Sequence, residues 1–355
     1  MVTLVKIFPF IQNLHPRHSF NISRARKTQA SNVIFAVEED GIVGLGEASP
    51  DAFYHETSAE VVDRLRQLEG FFHSLRIESV ADIAAAWEEI WPRISPSRAT
   101  QCAVDLALWD LLGRKTRTPV TRLALQKSPR EILSSFTIGL STPEELQEKV
   151  AGLQGFPIIK LKMDASADLG PIRYIQAHSS AVLRVDANCA WAAHDVPALS
   201  RQLAALKIEF IEQPLPPNEL SRMPEILRQS SLPILADESC VQIEDVERMP
   251  GNFSGFNIKL VKCGGLTAGL RMLRRGRELG LRMMVGCMLE TNLLIAAGAV
   301  VGQETDYADL DGSWLLSDDP FTGIRYTPGR LQLSDAPGFG VHALPGRVSL
   351  PFGGT

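Results

Sequence analysis

The sequence predicts an α/β architecture in which a (β/α)8-type barrel follows an N-terminal α+β module. Three observations predict it. From about residue 134 onward, strand and helix patterns alternate with a period of about 25 residues. Before that point, strands come first and helices after, as in an α+β unit. No Gly-x-Gly-x-x-Gly fingerprint follows an early strand, which ranks the rival doubly wound open sheet below the barrel.

Taken in order, Asn32–Glu38 is rich in Val, Ile and Phe, Asp40-Gly41 is a turn signal, and Ile42–Glu47 is a second short strand. Together they predict a hairpin. Ala103, Val104, Ala107, Leu108, Leu111 and Leu112 recur at helical spacing, and Gly113 offers a stop. Ser135–Leu140 opens the alternating part. Thr142-Pro143-Glu144-Glu145 then starts a helix with a capping box and a proline at its first position. Ile158–Met163, Val182–Asp186, Glu209–Glu212, Pro233–Asp237, Phe256–Leu260, Met283–Val285 and Tyr307–Leu310 are the remaining strand candidates.

A polar residue ends most of these strands: Lys162, Asp186, Glu212, Asp237, Lys259 and Asp309. The steps between them are 24, 26, 25, 22 and 50 residues, the last being two units with Met283–Val285 between. One strand and one helix per step imply parallel strands joined by crossovers. The segment after Pro320 is rich in Pro and Gly, lacks a helical pattern, and is expected to pack back onto the N-terminal module.

A chain of 355 residues is long enough for two domains, and 45% hydrophobic with 22% charged residues is ordinary for a soluble globular protein. The formal net charge of -5 argues against nucleic-acid binding. The basic run Arg271, Arg274, Arg275 and Arg277 reads as a solvated helix face. Cys102, Cys189, Cys240, Cys263 and Cys287 form no Cys-x-x-Cys pair, which fits a reducing compartment and makes the cytoplasm the expectation. There is no signal-peptide pattern and no apolar run of about 18 residues, so no membrane association is expected.

The chemistry follows from where the polar residues fall, because sites in such barrels lie at the C-terminal ends of the strands. In Lys160-Leu161-Lys162 the two lysines share one strand face, the barrel interior, and their mutual repulsion is expected to lower the pKa of at least one. Asp186, Glu212 and Asp237 occupy three successive units. Crowded at one mouth they call for a cation, and an all-oxygen set favours Mg2+ over Zn2+. Lys259 belongs to the sixth strand and Lys162 to the second, half a turn apart in an eight-strand ring. Lys262 is the weaker choice, since it falls in the loop before Gly264-Gly265. Two amines on opposite sides of a metal-bound carboxylate suit removal and return of a proton at the adjacent carbon. The metal stabilises the enolate dianion, and one lysine acts on each face.

At this point the chain resembles the enolase superfamily, specifically its muconate lactonizing subgroup, whose general pattern is lysine or histidine bases with Mg2+. The motifs span nearly the whole chain: Gly44-Leu45-Gly46-Glu47-Ala48, Trp109-Asp110, Lys160-Leu161-Lys162, Asp186-Ala187-Asn188, Glu212-Gln213-Pro214, Asp237-Glu238-Ser239, and Lys259 through Gly264-Gly265. The resemblance implies a modified (β/α)7β barrel at 117–319, an α+β capping domain at 1–116, and a segment at 320–355 completing the cap.

Within the subgroup the chain looks most like the dipeptide epimerases. In them an Asp-x-Asp pair, here Asp309-Leu310-Asp311, holds the substrate's α-ammonium, as an anionic partner would. The resemblance further implies that Lys160 touches the substrate carboxylate and that Thr137 contacts substrate. Loops around Ser19–Lys27 and Pro50–Glu56 would form the side-chain pocket. Arg24 and Arg26 are candidates for an acidic side chain, and Met288 and Glu290 border the pocket. Homo-oligomers are common among similar enzymes. Competing readings are an N-acylamino acid racemase, an o-succinylbenzoate synthase or a cycloisomerase on the same scaffold and, from a different class, a non-catalytic barrel that only binds.

Overall fold

The structure, a computed structural model, describes residues 5–17, 20–22 and 25–348, with backbone only for 20–22 and 25–27. The N-terminal module is built on a three-stranded antiparallel sheet ordered Lys6–Leu14, Ala30–Glu39, Ile42–Ala48. The predicted hairpin forms its central strand and one edge. The strand Lys6–Leu14 was not foreseen, because Pro9 interrupts its pattern. It is tolerated there because this is the sheet's edge, where a missing N–H costs no ladder bond.

The helix Arg98–Lys115 is buried on every side from Ala99 to Gly113. It lies hard against the hairpin: a Cβ on Gly46 would stand 1.9 Å from the Ala103 carbonyl oxygen, and one on Gly44 2.3 Å from that of Ala107. Gly113 does not stop this helix, which runs on to Lys115. Its missing side chain instead admits the C-terminal segment, since a Cβ there would meet the Gly338 Cα at 2.6 Å.

The barrel strands are Phe136–Ile138, Ile158–Lys162, Val182–Asp186, Ile211–Glu212, Ile234–Ala236, Gly255–Lys259, Arg282–Gly286 and Tyr307–Asp309. They are hydrogen-bonded in chain order and all parallel. The ring closes between the eighth and first strands through Ser135 N to Ala308 O at 3.0 Å, reinforced by Leu310 N to Ser134 Oγ at 2.8 Å and Thr137 N to Asp311 Oδ2 at 2.6 Å. Helices Pro143–Gly152, Gly170–His178, Val196–Ala205, Met223–Gln229, Ile243–Val246, Leu266–Glu278 and Asn292–Gly302 fill the seven gaps, and among the described residues no helix follows the eighth strand. This is a (β/α)7β barrel. The capping box at Thr142 forms as the sequence predicts: Glu145 N donates to Thr142 Oγ1 at 3.3 Å, and Thr142 N to Glu145 Oε2 at 3.1 Å.

The segment past the barrel docks on the capping helix, with Phe339 N donating to Asp110 Oδ1 at 2.9 Å and Arg114 Nη2 to Val341 O at 2.8 Å. It also adds Arg330–Gln332 as a strand beside Ile132–Leu133. The basic run is the solvated face of Leu266–Glu278, where Arg271 pairs with Glu88, Arg275 with Glu247 and Arg277 with Asp306. Among the described residues no helix is long and apolar enough to cross a membrane.

Candidate active site

Strand register brings the polar residues to one level. Lys162 pairs across to Asp186 and Asp186 to Glu212, while Lys259 pairs to Gly286 and Gly286 to Asp309. Alternation along the second strand turns Lys160 and Lys162 into the interior. Donor oxygens of Asp186, Glu212 and Asp237 lie within 4.8 Å of one another, in residues 0%, 0% and 1% exposed. Lys160 Nζ stands 2.6 Å from Glu212, 2.7 Å from Asp309 and 3.2 Å from Asp186. Lys162 pairs with Asp186 at 2.5 Å, and Lys259 with Asp237 Oδ2 at 2.8 Å. The two lysine-bearing strands are four apart in the ring, and their amines pair with different acids of the cluster.

Lys262 is not in a loop. It sits on the one-turn helix Leu260–Cys263, buried, with Nζ donating to Asp237 Oδ1 at 2.5 Å and Asp237 O at 2.7 Å, and within reach of the Cys240 and Asn257 carbonyls. Its three protons are committed to protein oxygens, which leaves Lys259 as the amine facing the cavity.

For Lys160 neighbouring acids outweigh burial. Burial alone would lower the Lys160 pKa, but Asp309, Glu212 and Asp186 raise it well above the ordinary lysine value. Repulsion from the neighbouring lysine does not dominate, because carboxylates outnumber it at closer range. Lys259 behaves alike: burial opposes its charge, and Asp237 and Glu212 win. Burial pushes Asp186 up, yet Lys162 and Lys160 bring it down to about 2. Glu212, raised by burial and by Asp186, reaches about 7. Asp237 is held well below the carboxylate range by Lys259 and Lys262, against burial.

The donor set fits a hard divalent cation. All three groups are carboxylates, they converge, and Glu212 Oε2 is a buried acceptor without a hydrogen bond, its 2.6 Å approach to Lys160 lying off the bonding direction.

Above the cluster is a cavity of about 590 Å³ lined by Thr137, Lys160, Lys162, Asp237, Lys259, Met288, Asp309 and Asp311. The capping module supplies its roof. Pro50, Phe53, Tyr54 and Glu56 come from the predicted loop, joined by Gln29, Ser31, Asn32 and Ser49, which the sequence reading missed. Arg24 lies outside the described residues, as does the side chain of Arg26. Glu290 does not line the cavity, contrary to expectation. It is buried behind it, accepts from Met288 N at 2.8 Å, and is pushed up to about 8 by burial.

Asn188 and Glu238 do line the cavity and were present in the quoted Asp-Ala-Asn and Asp-Glu-Ser motifs. No such signal marked Asn32. Its Nδ2 donates to Glu47 Oε1 at 2.7 Å and to Leu289 O at 2.9 Å, holding the seventh-strand loop to the cap.

Comparison with known proteins agrees with this arrangement. Residues 5–124 match the mandelate racemase / muconate lactonizing enzyme N-terminal domain, and residues 144–345 match the enolase C-terminal domain-like family. The L-Ala-D/L-amino acid epimerase of Flavobacterium johnsoniae is 35% identical over 317 residues, covering 89% of this chain and 93% of that protein. The L-Ala-D/L-Glu epimerase of Bacteroides thetaiotaomicron is 35% identical over 331 residues, covering 91% and 84%. The crystal structure of the dipeptide epimerase of Cytophaga hutchinsonii, complexed with Mg and the dipeptide D-Ala-L-Val, superposes with a TM-score of 0.90 at 25% identity, covering 98% of this chain and 97% of that one. With a capping module and a barrel each matched in place, the chain belongs to the enolase superfamily, in its mandelate racemase and muconate lactonizing enzyme group.

Proposed function

We propose that the chain is a Mg2+-dependent dipeptide epimerase that inverts the α-carbon of the C-terminal residue by moving a proton off one face and onto the other. One observation carries the reading: lysines from the second and sixth strands, half a turn apart in the ring, pair with different acids of a three-carboxylate cluster, and Asp309 and Asp311 line the same cavity.

Asp186, Glu212 and Asp237 would hold Mg2+, whose charge offsets the second negative charge that builds on the substrate carboxylate as the α-proton leaves. Lys162 takes the proton from one face as a neutral amine. Lys259 donates from the other as an ammonium, and the two exchange roles in the reverse direction. Lys160 keeps a positive charge beside the substrate carboxylate, held there by three acids. Asp311 receives the dipeptide's α-ammonium, while Asp309 holds Lys160 in place. Thr137 and Met288 wall the substrate, and Arg24 is the candidate for contact with an acidic side chain. Residues 117–319 carry the chemistry under a cap formed by 1–116 and 320–355. We place the enzyme in the cytoplasm, where its five free cysteines stay reduced, as a symmetric homo-oligomer.

The test is a dipeptide library incubated with Mg2+ in heavy water and read by mass at the C-terminal α-carbon. Epimerised dipeptides should each carry one deuterium there. Lys162→Ala and Lys259→Ala should each abolish epimerisation while leaving exchange from one stereoisomer, opposite for the two variants. Exchange of both isomers by either variant would refute the two-face assignment. Turnover of N-acylamino acids with none of dipeptides would transfer the chain to the racemase reading.

A further inference from the structure

Gln213 follows Glu212 directly and has a backbone φ of +35°, in the left-handed region that a residue with a Cβ avoids. Strain of this kind persists where surrounding bonds over-determine it, and here they do. The residue is 1% exposed, and its amide uses its full hydrogen-bonding capacity. Oε1 accepts from Asp237 N at 2.8 Å and Ser239 N at 3.1 Å. Nε2 donates to Ser239 Oγ at 2.8 Å and to Leu215 O at 2.6 Å. The main chain reaches the other way: Cys189 N donates to Gln213 O at 2.8 Å, in the loop where Asn188 N binds Asp186 Oδ1 at 2.9 Å. One residue therefore bonds Asp237, adjoins Glu212 and touches the loop that follows Asp186.

We propose that Gln213 is a positioning residue that sets the spacing of Asp186, Glu212 and Asp237, so that loss of its side chain weakens the cation site without unfolding the barrel. The inference rests on the metal assignment made above. The acids come from three separate strands, and backbone pairing fixes those strands only as far as Glu212 and Ala236; Asp237 itself lies past the end of its strand. Its main chain is held on the amide side by Gln213 and on the carbonyl side by Lys262. Ion affinity depends on converging oxygens, and loss of the partners that orient metal ligands typically weakens binding about 10- to 100-fold.

The test is calorimetric titration of the full-length protein with MgCl2, beside thermal melts without metal. Gln213→Gly removes the amide and also relieves the backbone strain, so its metal-free melting temperature should stay near the parent's while the Mg2+ Kd rises about 10- to 100-fold. Dipeptide turnover should fall at low Mg2+ and recover at high Mg2+. Gln213→Asn is the second variant: asparagine tolerates positive φ, and its shorter side chain cannot reach Asp237 N. It should show the same loss. A parent protein that binds no Mg2+ would overturn the metal assignment. A parent that binds, with both variants within about threefold of its Kd, would overturn the role of Gln213 and leave the metal assignment standing.

Discussion

Asp309 ends the eighth strand and Asp311 lies two residues past it, and the two line the same cavity with different partners. Asp309 accepts from Ser135 Oγ at 2.6 Å and Thr137 Oγ1 at 3.2 Å, and pairs with Lys160 at 2.7 Å. Burial opposes its charge, but Lys160 and Ser135 hold its pKa below the ordinary value. Asp311 Oδ2 accepts from Thr137 N at 2.6 Å, and the weak Cys287 thiol donor stands 3.8 Å from Oδ1. Burial, with Asp309 beside it, raises its pKa to about 7. Asp311 is thus protonated in mild acid and gains charge as pH rises through neutrality. As pH rises from about 6 to 7, use of an ammonium-bearing dipeptide should rise more than that of an N-acylated analogue, because the titration of Glu212 is common to both. Its effect on stability has the opposite sign: a raised carboxyl contributes most below its unfolded pKa and loses that contribution as pH passes through about 7. Asp311→Asn should remove that difference and weaken dipeptide binding by about 10- to 100-fold, the worth of a charge-assisted bond. Equal losses for dipeptides and N-acylated analogues would reject Asp311 as the ammonium partner.

Within single elements, Gly113 separates local propensity from packing. In an exposed helix, glycine to alanine adds stability of about 1 kcal/mol. Here the added Cβ would meet the Gly338 Cα at 2.6 Å and the Thr118 carbonyl oxygen at 2.9 Å. Gly113→Ala should therefore destabilise the protein by about 1–3 kcal/mol in a denaturant melt, the usual range for overpacking. A gain in stability would mean that the C-terminal segment does not dock there in solution. Glu47 makes a second cross-module joint. It accepts from Thr291 N at 3.1 Å and Leu294 N at 3.2 Å, placing a carboxylate from the cap at the start of the barrel's last helix. Most barrel strands were legible because a polar terminus recurs after the apolar run. The edge strand was not, because Pro9 and a half-exposed face erase its alternation. Lys262 was misplaced because a one-turn helix is too short to leave a periodicity.

For the molecule as a whole, the buried charges connect folding to ion binding. Three carboxylates converge at the centre of the barrel, and a cation that binds only the folded chain adds stability by mass action. Mg2+ at about 100 times its Kd should add roughly 2.7 kcal/mol, read as a rise in melting temperature. Asp186→Asn should lose most of that rise, and a parent melt insensitive to Mg2+ would count against the site.

Residue order and spacing were enough to place the barrel units, the three acids and the lysines of the second and sixth strands, because parallel strands of regular period present their ends at one mouth. Contacts between residues distant in the chain settled the rest. They made Lys262 and Gln213 supports for Asp237, joined Asn32 and Glu47 to the seventh-strand loop, and gave Asp309 to Lys160. The balance between burial and neighbouring charge, which sets each pKa, depends on distances in space, and separation along the chain does not report them.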